Sequence, residues 1–254
     1  MALEVTALAL SIITASVAGL VGCFAVMRRM TLAADAFSHV ALPGIGIALA
    51  LGIHPLFGAT AMLMFGAVII WALERRTRIA TETVIGVVFS TALAVGSLMS
   101  SGEQLVDALF GGPGVLTIGE LVFGAAAALA IGLFIFTQRN RLILWLVSPE
   151  IAKTSGIDVT RLNLIFLMMF ALTVALGLRY LGVLLMGSLI IIPAVTAKRL
   201  ARNLNQMLGY AIGSAILATV VGTVVAHRVH RPTGPIIITA SAALFAVSLI
   251  RRRR

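Results

Sequence analysis

Apolar stretches, each long enough as a helix to approach the thickness of a bilayer, alternate along this chain with short polar interruptions. Nine can be marked, at about 5–27, 33–52, 56–73, 83–101, 118–137, 161–178, 180–197, 207–226 and 235–250. Crossing the hydrocarbon core takes about 20 apolar residues in a helix, and a helix satisfies its own backbone polar groups there. The pattern therefore predicts an all-α, polytopic integral membrane protein of eight or nine transmembrane helices. Charge, glycine and proline collect between the stretches: RRM at 28–30, GIHP at 52–55, ERRTRIATE at 74–82, SGEQLVDALFGGPG at 101–114, QRNR at 138–141, KRLARN at 198–203 and HRVHRPTGP at 227–235. None of these is long enough to form a separate soluble domain, so residues 1–254 read as one transmembrane domain.

The count turns on the pair 161–178 and 180–197, which only Arg179 and Tyr180 separate. That is a tight connection for two full spans, and two readings stand: nine spans, or eight with one broken or re-entrant piece. Pro193, inside LLMGSLIIIPAV, marks where such a piece would break, because proline removes a backbone donor. The N-terminal stretch has no basic lead-in and a long apolar run, so it is expected to be the first span rather than a cleaved signal.

Composition agrees: 60% of residues are hydrophobic, and 28 are charged where a soluble chain of this length would carry about 60. The net charge of +10 would suggest a nucleic-acid partner in a soluble protein. Its placement says otherwise. When loops are assigned alternately to two sides, 16 of the 19 Lys and Arg fall on one side, leaving Arg179, Arg228 and Arg231 on the other. The positive-inside rule puts the N-terminus outside and the C-terminus in the cytoplasm, with the Arg251 to Arg254 tail anchored beside membrane lipid and no role for nucleic acid. The single cysteine, Cys23, is expected to pack as a small apolar residue in the first span.

Within MTLAADAFSHVALPGIGIALALG, an acid and an imidazole occur at Asp35 and His39. An ionisable residue inside a span costs about 2.5–3.5 kcal/mol on insertion scales, so two within five residues need a partner or a use. At about 100° per residue, positions i and i+4 lie about 40° apart on one helix face. Carboxylate oxygen and neutral imidazole nitrogen both bind borderline divalent ions such as zinc or manganese. Two ligands are too few, but a twofold homodimer with this helix on its axis would supply four. The plainer alternative is a helix-start pair, with Asp35 complementing the N-terminal dipole and His39 hydrogen-bonded within the bundle. Spacing alone leaves both open. Ser38 beside His39 does not make a hydrolytic pair, since neighbours point about 100° apart around a helix. Pro43, in Leu42-Pro43-Gly44, is expected to bend this helix in the pathway.

The other histidines, His54, His227 and His230, read as solvated residues of outer loops. The stretch LVSPEIAKTSGIDVTRLN is the largest polar insertion on the inner side. Ser148 as N-cap, Pro149 at the first helical position, Glu150 in the first turn and Gly156 as a stop spell a short surface helix. It is either a docking element for a cytoplasmic partner or a simple connector. No phosphate-binding G-x-x-x-x-G-K-[ST] occurs, so nucleotide energy would have to come from another chain.

Six stretches together carry a resemblance: GCFAVMRRMTLAADAFSHVALPG at 22–44, ETVIGVVFS at 82–90, DALFGG at 107–112, SPEIAKTSGI at 148–157, LGVLLMGSLIIIPAVTAKRLAR at 181–202 and PTGPIII at 232–238. Spread over nearly the whole chain, they resemble the permease subunit of bacterial metal-type ABC transporters, the ABC-3 family of zinc and manganese permeases. The resemblance implies a metal site at Asp35 and His39 and a coupling helix near 148–157 that contacts the ATPase. It also implies a homodimer working with cytoplasmic ABC ATPase subunits and an extracytoplasmic metal-binding protein in the bacterial inner membrane. No cofactor would be bound permanently, the divalent cation being cargo. Some manganese members carry Met just beyond the His; Ile45 stands here, which places zinc ahead of manganese. The expected mechanism is alternating access without chemistry by this chain, and the rival reading is a secondary, gradient-driven cation carrier using the same pair.

Overall fold

The computed structural model describes residues 2–31, 33–77, 79–99, 117–181 and 183–250. The whole 101–114 interruption with its DALFGG, Arg78 and the Arg251 to Arg254 tail lie outside the described residues. Among the described residues eleven helices follow in order: α1 (Ala2–Met27), α2 (Ala33–Val40), α3 (Leu42–Ala50), α4 (Pro55–Arg76), α5 (Thr81–Met99), α6 (Ile118–Val147), α7 (Pro149–Thr154), α8 (Val159–Leu181), α9 (Val183–Leu200), α10 (Leu204–Val229) and α11 (Thr233–Ile250). All regular structure among the described residues is helical.

Among the described residues, eight stretches are long and apolar enough to cross a membrane, with α2 and α3 forming one of them. The segment expected at 180–197 is α9, whose apolar part ends before Lys198 and Arg199. It forms a central post, its Leu185, Met186, Leu189, Ile190, Ala194 and Ala197 buried among α1, α2, α10 and α11. The helix runs through Pro193, so the break expected there does not occur. Proline is tolerated inside a packed membrane helix because neighbouring groups and small local adjustments satisfy the backbone it frees.

Local chemistry sets the ends. Thr117 and Glu120 form a reciprocal capping box at the start of α6, Ser148 caps α7 by accepting from the Ile151 N–H, and Asn203 caps α10 through the Gln206 N–H. The QRNR group at 138–141, expected to end a span, instead lies inside α6, which continues to Val147. None of its residues breaks a helix, Arg139 and Arg141 are satisfied by Asn205 and Gln138, and the apolar pattern resumes beyond them. The pair around Arg179 likewise divides a little later than expected, α8 running to Leu181.

Small residues let the backbones approach, as in membrane helix packing generally. A side chain at Gly22 of α1 would run into the Ile190 carbonyl of α9, and Gly44 of α3 and Gly58 of α4 stand in the same relation to each other's carbonyls. Around this framework α3 and α8 pack on α4, α5 covers α2 and α3, and α10 with α11 closes the other side.

Candidate metal site

The second expected span is two helices. The chain turns at Ala41, between α2 and α3, two residues before Pro43. Pro43 has no N–H to give the carbonyl four residues back, and it stands at the second position of the new helix, where no such donor is needed. On α2 the inward face carries Ala33, Ala34, Phe37 and Ser38, all fully buried. Phe37 meets Phe170 of α8 edge-on, ring centroids 5.3 Å apart. The Ser38 hydroxyl donates to the Ala34 carbonyl at 2.9 Å, inside its own helix. The opposite face carries Asp35, exposed, and His39, half-buried.

Neighbouring helices give the depth of this face. The His39 ring lies 5.5 Å from that of Phe89, the ninth of the 19 residues of α5. Val40 fills the notch at Gly66, the twelfth of 22 residues of α4, and Phe170 is the twelfth of 23 on α8. Residues 37–40 therefore sit at the mid-points of three long apolar helices. Gly187 of α9 supports α2 from the other side, against the Asp35 backbone.

Asp35 has no hydrogen-bond or ion-pair partner among the described residues, and the His39 Nδ1 is buried without one. No group of three or more His, Cys, Asp and Glu that could hold a metal occurs among the described residues. One chain thus brings a carboxylate and an imidazole to the same face of α2, the imidazole at mid-depth.

A second polar centre lies where α1, α4, α5, α6 and α8 end or begin. The Arg28 guanidinium donates to Glu74 at 3.1 Å, with side-chain exposures of 12% and 11%, and stacks over Trp145, 4.4 Å from its centroid. Burial lowers the Arg28 pKa to about 10 while Glu74 pulls it back up, so the guanidinium keeps its charge near neutrality. Glu74 also accepts from Asn163 Nδ2 at 2.8 Å and from the Thr81 hydroxyl. Nothing in the spacing of ERRTRIATE singled Glu74 out, because its charged partner and its amide partner come from residues 28 and 163.

His54 is more engaged than a solvated loop residue. Its Nδ1 accepts from the Leu56 N–H, capping α4, and its Nε2 lies 3.5 Å from Glu120, which is only 5% exposed. The T-x-x-E signature at 117–120 was legible as a helix start; the His54 contact was not. His227 and His230 are exposed and line a cavity of about 250 Å³ with Thr223, Arg231 and Thr233. Cys23 is fully buried, its thiol donating to the Met207 carbonyl at 3.7 Å. Ser148, Pro149, Glu150 and Gly156 form the short helix α7 and its end, Gly156 closing it at φ +78°.

The model of the ABC 3 transport family matches residues 2–252. The chain belongs to the ABC 3 transport family. It is 31% identical to the high-affinity zinc uptake system membrane protein ZnuB of Haemophilus influenzae, over 98% of this chain and 96% of that one. It is 32% identical to the chelated iron transport system membrane protein YfeD of Yersinia pestis (96% and 84%) and 31% identical to the manganese import system permease protein ScaB of Streptococcus gordonii (95% and 88%). Among solved structures, PsaBC from Streptococcus pneumoniae in complex with Fab superposes with a TM-score of 0.85 at 27% identity, covering 98% of this chain and 91% of that one. As a member of this family, the protein is the permease subunit of a metal-type ABC transporter, a transport protein rather than an enzyme. Nothing in these likenesses supports a gradient-driven carrier.

Proposed function

We propose that this permease passes a divalent transition-metal cation through a site built from Asp35 and His39 of two copies of the chain. The observation that carries the reading is the exposed Asp35 on the same face of α2 as His39, one turn from residues 37–40 at the mid-points of α4, α5 and α8. A carboxylate left facing lipid at that depth would cost about 2.5–3.5 kcal/mol on insertion scales, so the face must meet water or protein. A second copy across a twofold axis satisfies it and completes four N/O ligands. Such a set fits the tetrahedral preference of zinc, with manganese next; relatives named for zinc, manganese and iron uptake span the same chemistry.

Energy comes from cytoplasmic ATPase subunits docked at α7, residues 148–157 forming the coupling helix, and an extracytoplasmic binding protein delivers the cation. The positive-inside reading takes the cation-rich ends of α1, α4, α6 and α9 as cytoplasmic, with the N-terminus outside and the C-terminus inside the bacterial inner membrane. Transport proceeds by alternating access, and the site binds weakly enough to release what it receives.

Reconstituted vesicles containing the full transporter test this. Asp35→Ala and His39→Ala each abolish uptake with assembly intact; normal uptake in both removes the site. Competition among zinc, manganese and iron for uptake by the wild type identifies the cargo, and preference for manganese or iron would displace zinc.

A further inference from the structure

The buried cluster centred on Glu74 joins two parts of the chain that are far apart in sequence. On one side is the start of the segment leading to the metal helix. Arg28 is the first residue after α1, Arg29 turns the backbone with φ +62°, Met30 is buried at 1% exposure, and α2 with Asp35 follows. On the other side is the frame of α7. Trp145, three residues before Ser148, stacks on Arg28; Asn163, in the second turn of α8, donates to Glu74; and the Thr160 carbonyl accepts from the Trp71 Nε1 at 3.0 Å. Lys153 of α7 borders the same cavity of about 210 Å³. A third connection goes to Thr81, the first residue of α5, the helix whose Phe89 faces His39.

We propose that Arg28, Glu74 and Asn163 form a positioning cluster that transmits displacement of α7 to the helix bearing Asp35 and His39. The inference rests on the function proposed above. One carboxylate holds the entry to α2, the start of α5 and the start of α8 together, so α7 and α8 cannot shift without pulling on both elements that flank the metal site. The charges matter beyond packing. A buried ion pair has strongly preferred geometry and tolerates intermediate arrangements poorly, which suits a link between two discrete states. A purely structural staple would hold the same ends together but would not set how much uptake accompanies each hydrolysis event.

The test uses the complete transporter in vesicles, measuring ATP hydrolysis, metal uptake and nucleotide-free metal binding side by side. Glu74→Gln keeps the side-chain shape and removes the charge. Metal moved per ATP is expected to fall about tenfold, within the usual range of coupling between sites, while hydrolysis continues and metal binding without nucleotide is unchanged. Uptake and hydrolysis falling in proportion, or neither changing, overturns the proposal. If Glu74→Gln does not assemble, Asn163→Leu, which removes one hydrogen bond, carries the test: a reduced ratio supports the link and an unchanged ratio overturns it. Asp35→Ala run in parallel separates the two ideas. Normal uptake there removes the metal site itself, whereas lost uptake there with an unchanged ratio in Glu74→Gln removes only the link.

Discussion

Gly187 of α9 lies so close to Asp35 of α2 that a methyl group at position 187 would come within 3.2 Å of both the Cα and the Cβ of Asp35. The α2 helix is thus seated on a bare backbone. Gly187→Ala needs a shift of a few tenths of an ångström and should fold with little loss. Gly187→Leu cannot be fitted without moving α2, and overpacking of this kind costs about 1–3 kcal/mol. Thermal unfolding in detergent should show a clear drop for Leu and a small one for Ala, with uptake following the same order. A Leu variant that melts and transports as wild type would show that α2 is not held there.

Breaking the buried pair on one side only should be far worse than removing it whole. Arg28→Leu leaves Glu74 as a buried charge with only neutral hydrogen bonds, a loss of about 3–5 kcal/mol, and Glu74→Leu does the same to Arg28. The double variant should be less destabilised than the sum of the two, because no lone charge remains. Melting curves for the four proteins measure the difference, and simple additivity would mean the pair contributes nothing as a pair.

Glu150 is exposed in the first turn of α7, where a negative charge favours the helix dipole by about 0.3–1 kcal/mol. Glu150→Arg should leave the transmembrane bundle intact while disconnecting ATP hydrolysis from metal uptake. Hydrolysis and uptake measured together check this, and unchanged coupling would take α7 out of the docking surface.

Glu120 does two things at once, closing the capping box of α6 and meeting His54. Glu120→Gln keeps the reach to the Thr117 N–H and loses only the charge, whereas Glu120→Ala also loses the side-chain half of the capping box. The Ala variant should be less stable than the Gln variant by about 1 kcal/mol, the usual worth of a cap. Equal melting temperatures would assign the stabilisation to the charge alone.

Periodicity and length determined the class of the fold, because a helix in lipid must be long, apolar and internally bonded, and those demands are written residue by residue. The start of α7 was legible for a similar reason: Ser148, Pro149 and Gly156 act on the backbone next to them. Asp35 and His39 stood out because nine acids in 254 residues leave few places for one to lie beside a histidine in an apolar stretch. Their depth did not, since it depends on which turns of α4, α5 and α8 they face. Pro193 misled for the complementary reason: the local rule predicts a break, and the helix continues through it where neighbouring helices pack around it. The partners of Glu74 and the seat of Asp35 on Gly187 join residues up to 152 positions apart. Only the packed bundle brings them together, because pairing between side chains is settled by distance in space and leaves no period along the chain.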